Sequence, residues 1–129
     1  MFIESQVINA DMAIKFAALG FRQNSYFEWI EVLRVEEGDL LYILSKGKHI
    51  KDLDIEKLRP TGKYYAAFTD AEIGDMLPPH TGVVKYRADK FKCFHEPTTF
   101  METDEYRVMA QAKLLLALTE VGHFDPKSI

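Results

Sequence analysis

The stretch from Thr69 to His95, TDAEIGDMLPPHTGVVKYRADKFKCFH, constrains the fold of this chain more than any other. Thr69 and Glu72 have the spacing of a capping box, in which each side chain satisfies the other's free backbone N–H at a helix start. Ile73, Met76 and Leu77 then fall on one helical face. Pro78-Pro79 stops the helix, because neither ring offers an N–H and each disfavours a helical predecessor. Two alternating segments follow, Val83–Arg87 and Phe91–His95, joined by a turn at Ala88-Asp89. Val84 and Tyr86 point one way, and Val83, Lys85 and Arg87 the other. On the return strand Phe91 and Cys93 share a face, with Lys90, Lys92 and Phe94 opposite. The pattern predicts a helix, a sharp stop and a hairpin with one wet face.

The flanking sequence extends this plan. Asn9 is a good N-cap for a first helix over Ala10–Leu19, with Met12, Phe16 and Leu19 on one face and Gly20 ending it. Two segments rich in aromatic and β-branched residues, Tyr26–Arg34 and Leu40–Leu44, form a hairpin around the turn Glu36-Glu37-Gly38-Asp39. Phe27, Trp29 and Leu33 share a strand face, with Glu31 as the exception. The segment from Ser45 to Gly62 is irregular, with one helical turn expected near Ile55–Leu58 and a close at Pro60 and Gly62. A third strand is expected over Lys63–Phe68. The last helix should run from Asp104 to Val121, capped by Thr103, with Leu114 and Leu118 in a broad apolar stripe. Strand runs joined by hairpins and interrupted by helices imply an α+β domain: a small, mostly antiparallel sheet of two hairpins plus one strand, packed against three helices with the longest at the C-terminus.

At 129 residues the chain fits a single domain over residues 1–129 with a core of its own. The formal net charge of −4 provides no global attraction for nucleic acid or anionic lipid. One cysteine, Cys93, rules out an intrachain disulfide and a cysteine metal cluster, which favours a reducing compartment. The N-terminal residues lack a signal-peptide pattern, and the longest apolar run, Leu114 to Leu118, is far short of a membrane span. These features predict a soluble, cytoplasmic protein.

Catalytic and metal signatures are sparse. The four histidines, at positions 49, 80, 95 and 123, have no i, i+3 or i+4 partners among themselves. Cys93-x-His95 places a thiol and an imidazole on one strand face, and His80 could join them across the hairpin, but a zinc site needs more donors. The spacing is better explained by a core thiol and a strand-end histidine, and neither a metal nor a cofactor is expected. No nucleophile elbow, P-loop or dinucleotide glycine pattern occurs. The carboxylate groups Glu36, Glu37, Asp39 and Glu102, Asp104, Glu105 coincide with a turn and a helix start. Asp52-x-Asp54-x-Glu56 lacks the glycine and distant glutamate of a calcium loop. One charge anomaly stands out: Lys46, Lys48, His49 and Lys51, followed by Lys57, Arg59 and Lys63, lie between strands carrying Tyr42 and Tyr64-Tyr65. Basic groups beside aromatics can hold an anionic ligand. Tyr42, Lys48, His49, Lys51 and Tyr64 are therefore the candidate ligand contacts, against the alternative of a solvated loop of mixed charge.

The chain also resembles a family of small proteins of undetermined activity carried by phages, prophages and gut bacteria. The likeness lies in a capped helix ending Ala17-Ala18-Leu19-Gly20-Phe21 and in the segment Ala67-Phe68-Thr69-Asp70-Ala71-Glu72-Ile73-Gly74-Asp75-Met76-Leu77-Pro78. An alanine-rich last helix closing at Glu120-Val121-Gly122 completes it. These are structural motifs and carry no catalytic residues; Lys46–Lys57 is where the chain departs from the family's pattern. The resemblance implies a mobile-element origin and an accessory role. The sequence is thus read as a non-enzymatic protein-interaction module, with self-association or another protein as partner and nucleic acid disfavoured. The alternative is a small-molecule or nucleotide-binding protein, or small enzyme, with a pocket beside residues 45–63. A flat apolar patch would favour the first reading, and a pocket-facing aromatic beside Lys48 or Lys51 the second.

Overall fold

The computed structural model describes residues 6–46 and 53–128. The chain folds as α1 (Ala10–Ala18), β1 (Glu28–Arg34), β2 (Leu40–Ser45), β3 (Leu58–Ala66), α2 (Asp70–Met76), β4 (Thr81–Arg87), β5 (Lys90–His95), β6 (Phe100–Asp104) and α3 (Arg107–Glu120). This is the expected α+β class. The strands divide into two antiparallel three-stranded sheets, in the orders β2-β1-β3 and β4-β5-β6. No described helix is long and apolar enough to cross a membrane.

Local signals set the helix ends. Asn9 Oδ1 accepts from the Met12 N–H at 2.9 Å. Gly20 ends α1 with φ +90°, and Phe21 folds back so that its ring meets Phe16 edge-on at 4.5 Å. At α2 both arms of the capping box form: Thr69 Oγ1 accepts from the Glu72 N–H at 3.2 Å, and Glu72 Oε1 accepts from the Thr69 N–H at 2.9 Å. The Ser25 hydroxyl donates to the same Glu72 oxygen, tying the segment before β1 to this cap.

Three boundaries differ from the sequence expectation. β3 begins at Leu58, after a helical turn in which the Leu58 N–H reaches the Asp54 carbonyl at 2.7 Å. Pro60 lies within this strand, opposite Val32, and the register shifts between Ile30 and Val32. Gly62, at φ +88°, sits in that irregularity, where its tolerance of the left-handed region lets the chain regain the ladder. β6 occupies residues assigned above to the helix cap: Thr103 pairs with Lys92 and Asp104 with Phe91. Helix α3 therefore starts at Arg107 with Tyr106 as a cap residue that makes no side-chain cap bond. Asp104 instead accepts from the Tyr106 N–H at 2.9 Å and pairs with Lys113 Nζ at 2.7 Å.

Helix α3 contributes to two buried clusters. Val108, Met109, Ala112, Leu115 and Leu116 join α1, α2, Ala66 and Phe68, with Trp29 and Tyr65 packed against them. Ala110, Leu114 and Leu118 pack on Cys93, with Val83, Phe91 and Phe100 around them. Its two buried stripes explain why nine of its 14 residues are buried.

Candidate interaction face

Sheet β4-β5-β6 has one dry and one open face. The register sets which is which. Val83 lies opposite Cys93, and Cys93 opposite Glu102; this row faces α3 and contains the fully buried thiol. The intervening rows, Val84–Lys92–Thr103 and Gly82–Phe94–Met101, face outward. Val84 is 43% exposed, Tyr86 45% and Met101 52%. An antiparallel sheet ordinarily places polar side chains on such a face. Here Val84, Tyr86, Phe94 and Met101 are spread over the outward side of all three strands.

Two local devices build the face. The register shifts between Lys85 and Arg87, so Tyr86 is an extra residue of β4. That bulge brings Tyr86 beside Arg87, whose guanidinium carbon lies 5.7 Å from the Tyr86 ring centroid. The second device is Gly82. A Cβ built there would lie 2.5 Å from Phe94 Cζ and 3.0 Å from both Cε atoms. A point off the ring's edge would not be this near all three atoms, so the Phe94 ring lies flat over the glycine with its other side outward. Any larger residue at 82 would tip it up.

The charge of this face is one-sided. Arg87 pairs with Lys90, and Lys92 sits between Val84 and Thr103. The nearby carboxylates Glu102 and Asp104 belong to the opposite rows, and Asp89 lies in the turn beyond β4. Three cations thus lie toward the hairpin end of the face, in a chain whose net charge is −4, and the exposed Glu96 lies at the opposite end. At one end a shallow cleft of about 430 Å³ runs past Lys92, Phe94 and Met101 to Glu96 and Thr99.

The residues singled out in the sequence divide differently. Lys48, His49 and Lys51 lie outside the described residues. Tyr42 is opposite Glu31, whereas Tyr64 is opposite Ile30, so the two rings stand on opposite faces of the first sheet. Tyr42 is engaged: its hydroxyl donates to Glu31 Oε2 at 3.0 Å and its ring meets Tyr65 edge-on at 6.2 Å. Burial, then the Glu31 carboxylate, holds the Tyr42 phenol above its ordinary pKa. Thr61 donates to the other Glu31 oxygen at 2.8 Å. Glu31, the exception noted on its strand face, is a buried carboxylate satisfied by two hydroxyls.

Cys93 and His95 share the inner face, but their surroundings are structural. Burial pushes the Cys93 thiol up to about 12, far from the thiolate a nucleophile or metal ligand requires. His95 Nδ1 is 2.8 Å from Thr98 Oγ1 in the β5–β6 turn. No group of three potential metal-ligating side chains converges among the described residues. A larger open cleft, about 690 Å³, lies where α2 and α3 begin, lined in part by Thr69, Phe91 and Tyr106. There Asp70 accepts from the Gln111 amide and pairs with Arg107 at 3.4 Å.

Met101 was missed in the sequence because Phe100–Asp104 was not read as a strand. Its alternation, Phe100 and Glu102 against Met101 and Thr103, was the available signal. Compared with protein-family models, with curated proteins and with solved structures, the chain matches none.

Proposed function

We propose that this protein is a non-enzymatic protein-interaction module whose working surface is the outer face of the β4-β5-β6 sheet. The observation that supports this reading is the set of exposed Val84, Tyr86 and Met101 with half-buried Phe94, all on the outward side of a sheet whose other side packs Cys93 against α3. Contiguous exposed apolar surface bordered by polar groups is characteristic of protein contact sites. An accessory role in a mobile element, as the resemblance implies, is compatible with such a module. The pocket reading has less support, since Tyr42 is committed to Glu31 and Tyr65.

The test is site-specific photocrosslinking in cells that express the protein. A photoreactive residue at position 101 should yield a protein adduct of defined mass, and one at position 121, an exposed residue beyond α3, should not. The adduct should disappear when Val84→Lys is added. Absence of a protein adduct from position 101, or equal adducts from both positions, would contradict the assignment.

A further inference from the structure

Resting on that reading, we infer that the partner presents an acidic amphipathic helix, laid across the outer face of the β4-β5-β6 sheet. Shape comes first. Adjacent strands are about 4.8 Å apart, so the outer strands of this sheet are roughly 10 Å apart, about one helix diameter. On the inner face a single helix, α3, packs on both β5 and β6. A helix on the outer face would complete a three-layer arrangement in which both sides of the sheet are covered. The flat Phe94 ring leaves room for it, and Met101 supplies an adaptable contact.

Charge then selects the partner. Arg87, Lys90 and Lys92 border the apolar side chains on the hairpin side, no carboxylate belongs to the paired outward rows between Gly82 and Thr103, and Glu96 lies beyond Phe94 at the far end. The acidic residues of the partner helix would therefore lie over the hairpin half. A second copy docking through the same face would bring these three cations against themselves, which disfavours a two-fold pair. Single-stranded nucleic acid would use the cations, but it gains chiefly from ring stacking. Half of the apolar set, Val84 and Met101, cannot stack, and the Tyr86 ring already carries Arg87. The net charge of −4 also opposes the approach of a long polyanion, whereas a short acidic helix responds mainly to the local cations. An apolar stripe flanked by glutamates or aspartates satisfies both halves of the face.

The experiment uses synthetic peptides with the isotope-labelled full chain. The probe is a peptide of about 18 residues with Leu at helical i, i+3, i+4 spacing and Glu at most other positions. One control replaces every Glu by Lys. A second keeps the composition but alternates Leu and Glu, which destroys the helical stripe. An oligothymidylate and the protein alone at high concentration complete the set. The acidic helical peptide should shift the amide resonances of Val84, Tyr86, Lys92 and Met101 and bind at least about tenfold more tightly than either control peptide, a difference of about 1.4 kcal/mol. Binding should weaken as salt is raised and should weaken about tenfold in the Arg87→Glu, Lys92→Glu protein; the salt series reads the same charge dependence without any substitution.

Equal binding of the Lys peptide, or no binding of the acidic peptide at millimolar concentration, would overturn the acidic class. Equal binding of the alternating peptide would overturn the helix. Tighter binding of oligothymidylate on this face would replace the partner with nucleic acid, and concentration-dependent shifts of the protein alone would replace it with a second copy. A protein adduct from position 101 alongside any peptide result of this kind would leave the interaction module standing and remove only the partner class.

Discussion

The two sheets treat their central strands in opposite ways. In β1, Ile30, Glu31 and Val32 are consecutive and all buried, so the strand is covered on both faces. In β5 burial alternates: Cys93 and His95 are buried, while Lys92 and Phe94 between them are only partly covered. The first sheet accommodates even a carboxylate inside, by giving Glu31 the hydroxyls of Tyr42 and Thr61. The second leaves valine, tyrosine and methionine in water, although one face is well packed. Packing and hydrogen bonding account for Trp29 to Val32 of β1, with the unpartnered buried Oε2 of Glu28 as the exception on that strand, but not for the outward rows of the second sheet. That contrast separates a scaffold from a surface.

The largest expected effect tests the covered side of the second sheet. Leu114→Ala removes a fully buried side chain that packs near Cys93, and it should cost on the order of 2–5 kcal/mol in denaturant unfolding. A loss below 1 kcal/mol would mean that α3 does not seal this face. Next, Glu31→Ala tests the first sheet. It leaves two hydroxyls without their acceptor and should destabilise by about 1–3 kcal/mol. Smaller still is Thr69→Ala, at about 1 kcal/mol, since it removes one arm of the cap on the helix between the two sheets. An unchanged unfolding midpoint would remove that cap from the account.

The buried thiol adds a pH test. Its pKa in the folded state is raised, so the protonated form is favoured by folding. The associated stability is present below the ordinary thiol pKa of 9.0 and is lost as pH rises toward about 12. The Tyr42 phenol, also raised from its ordinary 10.0, has the same sign at somewhat higher pH. Cys93→Ala should therefore flatten the alkaline decline between pH 9 and about 12, and Tyr42→Phe should flatten it above pH 10. If neither variant alters the decline between pH 9 and 12, the Cys93 and Tyr42 side chains are wetter than their surroundings imply.

Much of this contrast was legible in the sequence, and the remainder was lost for identifiable reasons. Asn9, Gly20, Thr69 and Glu72 report their conformations locally, because caps and stops act over three or four residues. Alternation on β4 and β5 correctly separated Val84 from Val83 and Phe94 from Cys93, but it could not say which row meets α3. That choice is made by residues about 20 positions away along the chain. The division into two sheets is long-range for the same reason. The strand β6 was obscured by Thr103-Asp104-Glu105, whose residue types suit a helix cap equally well; pairing with β5 decided the outcome. Without β6, Met101 had no face, and the fourth apolar member of the surface remained hidden. Glu31 stood out as an exception on its strand, but the hydroxyls that satisfy it come from β2 and from the irregular part of β3.

The central claim, that the outer face of the second sheet is retained for contact and not for folding, is tested most directly by the stability of the Val84→Lys, Met101→Lys protein. Both side chains are about half exposed, and each lysine can extend into water. Chemical denaturation should give an unfolding free energy within about 0.5 kcal/mol of the parent, as expected for surface positions. A loss of several kcal/mol would show that the face is buried in the folded chain, and the contrast between the two sheets would fail.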